Sequence, residues 1–159
     1  LSLRRSSDFL RARSSASSCW RCSCVLAGQS GNTGCQAMAV ALRGLTLGEL
    51  KPGDARRHVF KEGMLGLANG ALVGLSAGIG MFIYASIKHT PESPLVLSAI
   101  VLLAMTGSCF LSGLSGVLVP VTLKKLGFDP ATASSIFLTT ATDVASMGLF
   151  LGLATWWLG

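Results

Sequence analysis

The sequence predicts an all-α fold, a polytopic transmembrane helical bundle, and three observations carry that prediction. Half of the 159 residues are hydrophobic and only 13% are charged, where a soluble domain averages about 25% charged. From residue 61 onward, apolar runs of bilayer length alternate with short polar connectors, the pattern of successive membrane spans. Nineteen glycines and few aromatics suit helices that approach closely in lipid. Mean hydropathy is +0.60. The net charge of +6 sits in short segments between apolar runs. It therefore reads as orientation in a bilayer, and no nucleic-acid partner is predicted.

Residues 1–27 differ from the rest, with eight Ser, five Arg, three Cys and one acid. An Arg- and Ser-rich, acid-poor composition suits an organelle transit peptide, an unstructured tail or sequence from outside the native reading frame equally. The segment reads as poorly ordered and receives no function. Cys19, Cys22 and Cys24 form C-x2-C-x-C, but no second Cys/His pair follows at zinc-site spacing, so no metal site is predicted there. Cys35 and Cys109 fall in small-residue or apolar helices and read as packing residues. The chain opens on Leu, as a piece of a longer protein would.

Residues 28–159 form the predicted membrane domain, with helices at about 31–48, 61–88, 94–123 and 130–158. The first begins with a Gly/Ser/Asn/Thr cluster and is just short of the hydrocarbon thickness, about 25 Å at 1.5 Å per residue. Its polar start belongs in a pore or a protein interior. A polar connector follows, with a Pro52-Gly53 turn and Asp54 as a cap. In the second helix Gly66, Gly70, Gly74 and Gly78 recur every four residues along one edge, a packing face bordered by Asn69. No strand precedes these glycines, so they are not a nucleotide fingerprint. The third helix carries Ser108, Ser112 and Gly116 at the same interval, with Pro120 near its end. Asp129-Pro130 starts the fourth helix, which ends in an interfacial Trp pair.

Seven Lys and Arg residues flank the connectors before the second and fourth helices, against Lys88 alone on the opposite side. This puts the basic connectors in the cytoplasm and the C-terminus outside. The five Arg of the tail would then also lie outside, which predicts a further transmembrane helix upstream of Gly28. A multi-pass protein of the cell membrane is expected, in contact with the lipid bilayer.

Asp143 is the charge that the fourth helix carries after Ala131. A carboxylate at such depth costs roughly 2.5–3.5 kcal/mol on insertion scales, so it faces a partner or a water-filled path. Thr139, Thr140 and Ser146 lie within one turn of it, and Ser135 continues the line. Hydroxyls around a carboxylate suit a hydrated cation, whose water shell donates to them; magnesium releases its waters reluctantly. A structural bond from Asp143 to Asn69 or Arg43, or a proton relay, are the competing readings. Asn32 and Gln36 share a face of the first helix, where their amide oxygens can accept from ion-bound water or make an ordinary interhelix contact. His58 and His89 are isolated in connectors. No nucleophile–base pair or phosphate-binding loop is present, so no enzyme is predicted.

The run SGNTGCQ followed by RGLTLGEL, and the run DPATASS with TTATDV, resemble the membrane domain of the MgtE family of magnesium channels and transporters, over about residues 28–159. The resemblance implies a five-helix membrane domain, with the second to fifth helices present here, in a homodimer with the ion path at its centre. It implies Mg2+ as the transported and bound ion. By the same resemblance the acidic pore residue is Asp143, and the main-chain carbonyl one turn earlier belongs to Thr139. Asn32 takes the amide of the GGN motif, and Ser135 a polar position at the cytoplasmic mouth. Two departures stand out: Ser30 replaces the motif's first Gly, and Cys35 occupies a position that is often Asn. The family's first helix and its magnesium-sensing CBS module are not recognisable. A channel-like path held by Asp143 and Thr139 and lined by Asn32, Gln36, Ser135 and Thr140 is the leading expectation. A cation exchanger coupled to sodium or protons, or a non-conducting membrane fragment, are the alternatives.

Overall fold

The computed structural model describes residues 25, 27–49, 55–88 and 93–158. Four helices make up the fold among these residues: α1 (27–46), α2 (Ala55–Lys88), α3 (Pro94–Lys125) and α4 (Pro130–Leu158). The all-helical class expected from the sequence is what the chain adopts. Three of the helices, α2, α3 and α4, are long and apolar enough to cross a membrane. Most of the tail, the Pro52-Gly53 turn, Asp54 and His89 lie outside the described residues.

Helix α3 is the axis of the bundle. Its Ile100, Val101, Ala104, Met105 and Cys109 form a buried cluster with Phe150 of α4, with Val73 and Ala77 of α2 packed against it. Helix α2 runs antiparallel to α3, because its glycine edge lies directly on the α3 backbone. A methyl added at Gly78 would stand 3.2 Å from the Ser98 carbonyl; at Gly74, 3.1 Å from that of Leu102; at Gly70, 3.1 Å from that of Met105. Gly66 meets the Cys109 carbonyl in the same way. Larger side chains would hold the helices apart and forfeit this close packing.

Helix α1 runs beside α3 in the parallel sense. Gly34 lies against Ser112, and Gly116 against Gly34 and Ala37. Further along, the Lys124 ammonium donates to the Leu45 carbonyl at 3.2 Å, satisfying an open acceptor at the end of α1. Leu138 of α4 closes on Gly34 from the other side. The turn after α3 is a Schellman arrangement. Gly127 takes φ +81, and the Phe128 and Gly127 amides return to Leu123 and Lys124, as that motif requires.

Two helix starts differ from the sequence expectation. Helix α1 begins about a turn before residue 31, because its polar cluster bonds backward instead of capping. The Ser30 hydroxyl donates to the Ala27 carbonyl at 3.0 Å, and that of Thr33 to Gln29 at 3.1 Å. Helix α2 begins at Ala55 rather than 61, where Val59 joins the Ala37, Ala41 and Val117 cluster. Packing thereby holds a polar stretch helical beyond the apolar run.

Candidate functional site

Two polar surfaces emerge, one on α4 and one between α1 and α2. On α4, Leu138, Thr142, Ser146 and Phe150 are buried at four-residue intervals and set the inward face. One residue further round lie Ser135, Thr139 and Asp143, all exposed. Thr140 is exposed as well. At 1.5 Å per residue, Asp143 stands about 20 Å along α4 from its start at Pro130.

The hydroxyls of α4 are partly committed. Thr139 donates to the Ser135 and Ile136 carbonyls at 3.0 and 3.1 Å, and Thr140 donates to Ile136 at 3.0 Å. Each spends its one hydrogen on its own helix and leaves its oxygen as an acceptor. The Thr139 carbonyl, expected beside the ion's water shell, has a local partner. It accepts the Thr142 hydroxyl at 3.0 Å in addition to its helical N–H, so both lone pairs are engaged. The acceptor that Thr139 leaves open is its side-chain oxygen. Among the described residues, the Asp143 carboxylate has no ion-pair or hydrogen-bonding partner. The bond to Asn69 or Arg43 considered from the sequence is not formed: Asn69 instead donates to Thr33 at 3.1 Å.

The second surface is a cleft of about 500 Å3 lined by Gln29, Asn32, Thr33, Cys35, Gln36 and Asn69 among others. Asn32 and Gln36 come together there, as their spacing predicts; Ser135, Thr139, Thr140 and Asp143 do not line it. Cys35 corrects its reading as a packing residue. It is exposed on this cleft, whereas Cys109 is buried, because the face of α1 that meets α3 is the one bearing Ser30, Gly34, Ala37 and Ala41. Sequence reasoning placed neither Thr33 nor Asn69 at the site. The available signal was a lone amide in an otherwise apolar glycine-rich span. Among the described residues, no cluster of three His, Cys, Asp or Glu side chains could hold a bare metal ion.

Comparison with known proteins decides the family. A family model described as MgtE, divalent cation transporter, matches residues 23–153. This chain belongs to the MgtE family. Curated relatives named magnesium transporter MgtE are 34% identical over 131 residues in Enterococcus faecalis, 30% identical over 131 in Bacillus subtilis and 32% identical over 130 in Thermus thermophilus. Each alignment takes in 82% of this chain and 27–28% of the relative. The chain thus spans about a quarter of the length of these MgtE proteins, within a multi-pass, helical membrane region.

Proposed function

We propose that this chain carries magnesium across a membrane through a hydrated, channel-like path in which Asp143 attracts the ion. The exposed Asp143 carboxylate, without a partner among the described residues and within an apolar span, supports this reading most strongly. Bare contact with lipid would cost roughly 2.5–3.5 kcal/mol, so the carboxylate calls for water or cations beside it. The free oxygens of Thr139, Thr140 and Ser135 on neighbouring positions are acceptors, and the waters of a hydrated cation are donors. Magnesium keeps several of its waters and is served by one or two carboxylates with outer acceptors. A second copy of the chain, related by a two-fold axis, would bring a second Asp143 to the same path. A pair of carboxylates would raise cation selectivity as charged rings do in other pores. An inside-negative potential supplies about 2.3 kcal/mol per elementary charge per 100 mV, so a divalent cation needs no coupled gradient.

The test is magnesium uptake by the reconstituted chain in proteoliposomes. Asp143→Ala and Asp143→Asn should lower uptake at least about tenfold, and Asp143→Glu should retain most of it. Unchanged uptake in Asp143→Ala would overturn the role of this residue. Uptake that stops when sodium and proton gradients are removed would replace the channel with an exchanger.

A further inference from the structure

The hydrogen-bond geometry between α1 and α2 assigns a further cation-binding group. Thr33 is buried at 7% exposure, and its hydroxyl hydrogen is directed at the Gln29 carbonyl at 3.1 Å, with the Cys109 sulfur at 3.7 Å. A threonine hydroxyl has one hydrogen, so what Thr33 offers to a further neighbour is a lone pair. The neighbour is Asn69, whose Nδ2 donates to it at 3.1 Å. With the Thr33 hydrogen on the Gln29 carbonyl, the Asn69 amide meets Thr33 through its Nδ2 end, because its oxygen there would face a second acceptor. The carbonyl oxygen then points away from Thr33. It accepts from no donor among the described residues and is not buried. Asn69 lines the same cleft as Asn32 and Gln36.

We propose that Asn69, aimed by Thr33, presents its amide oxygen to a hydrated divalent cation in the α1/α2 cleft, and so completes with Asn32 and Gln36 a neutral binding site separate from Asp143. This proposal rests on the transport reading for the identity of the ion. The dimensions fit: six waters at roughly 30 Å3 each occupy about 180 Å3, within a cleft of about 500 Å3. The chemistry fits too, because amide oxygens accept from ion-bound water without stripping it from the metal. A neutral site holds the ion weakly enough to release it, as conduction requires. Thr33 is then a positioning residue and Asn69 a ligand of the ion's water shell.

Cys35, exposed on the same cleft, offers a readout that does not depend on transport. With Cys19, Cys22 and Cys24 replaced by Ser, the rate at which a charged methanethiosulfonate reagent labels Cys35 is measured against magnesium or hexaamminecobalt(III). The ammines of the latter donate hydrogen bonds as bound waters do and do not exchange. Either cation should slow labelling of the starting chain. Asn69→Leu should require about tenfold more cation for the same protection, as loss of one charge-assisted hydrogen bond implies. Asn69→Asp should restore protection. Thr33→Val keeps the amide but removes its guide and should weaken protection by a smaller factor. Thermal unfolding in detergent micelles reports whether each variant remains folded, since Cys109 itself touches Thr33. Protection unchanged in both Asn69→Leu and Thr33→Val would overturn the proposal, as would absence of protection in the starting chain. Protection that follows the predicted order in a chain without magnesium uptake would overturn the transport reading and leave this site standing.

Discussion

Serine and threonine hydroxyls inside these helices divide by where their one hydrogen goes. Thr106, Thr122, Thr139 and Thr155 return it to their own preceding turn. Ser112 instead reaches across to the Ser30 carbonyl of α1 and is 1% exposed. Ser108, equally buried, has no partner for its oxygen among the described residues. The two serines should therefore respond oppositely. Ser112→Ala removes an interhelix hydrogen bond and leaves a buried carbonyl lone pair unmatched, a loss of about 0.5–1.5 kcal/mol. Ser108→Ala removes only an unsatisfied hydroxyl and should be neutral or stabilising. Thermal unfolding in detergent micelles distinguishes them; a Ser108→Ala protein melting well below a Ser112→Ala protein would contradict this account. The candidate site was half legible at this scale. Asp143 is conspicuous in any reading of the chain, since a charge amid apolar residues needs a cause. Asn69 was visible only as the border of a packing face, because its role depends on Thr33, which is 36 residues away.

At the scale of the element, the glycine edge of α2 decides how near α2 and α3 approach. A Cβ at Gly70 would stand 2.7 Å from the Cβ of Cys109 and 3.0 Å from the Cα of Thr106, and backbone cannot move aside as a side-chain end can. Gly80 lies on the same helix with nothing within 4 Å. Gly70→Ala should destabilise by about 1–3 kcal/mol through overpacking. Gly80→Ala should be neutral or gain up to about 1 kcal/mol from helix propensity. Equal melting temperatures for the two variants would contradict the close-packed edge. The four-residue repeat was readable in advance because helical spacing puts these positions on one line. The identity of the opposing surface was not, since it depends on the antiparallel run of α3. The backward-bonded start of α1 was hidden as well. Gly, Ser, Asn and Thr favour caps and turns by their local chemistry, and contacts with α3 override that preference.

Across the whole molecule, antiparallel α2 and α3 and the parallel α1 bring Arg43, Arg57, Lys61, Lys124 and Lys125 to one end of the bundle. The Trp156–Trp157 pair of α4 lies toward the opposite end, since Phe150 already packs beside Ile100. The excess of Lys and Arg at one end predicts that this end faces the cytoplasm. In a chain stripped of its native cysteines, Lys125→Cys should react with an impermeant maleimide only in inside-out vesicles, and Trp156→Cys only in right-side-out ones. The reverse pattern would invert the topology. Beyond this, Leu72, Ile87 and Ile136 remain at least 70% exposed, a surface that lipid or a second copy of the chain must cover.

What the sequence determined by itself was the class of protein: an all-helical membrane domain with three helices long and apolar enough to span, and the charge placement from which its orientation is predicted. Those follow from length, hydropathy and charge placement, which act through the bilayer and need no knowledge of neighbours. Only the tertiary structure decided that Asn69 bonds to Thr33 and not to Asp143, and that Cys35 faces a cleft. It also set Asn69 on that cleft, held by Thr33. Each of these depends on how α1 and α2 pack against one another and against α3, which spacing along one helix does not give.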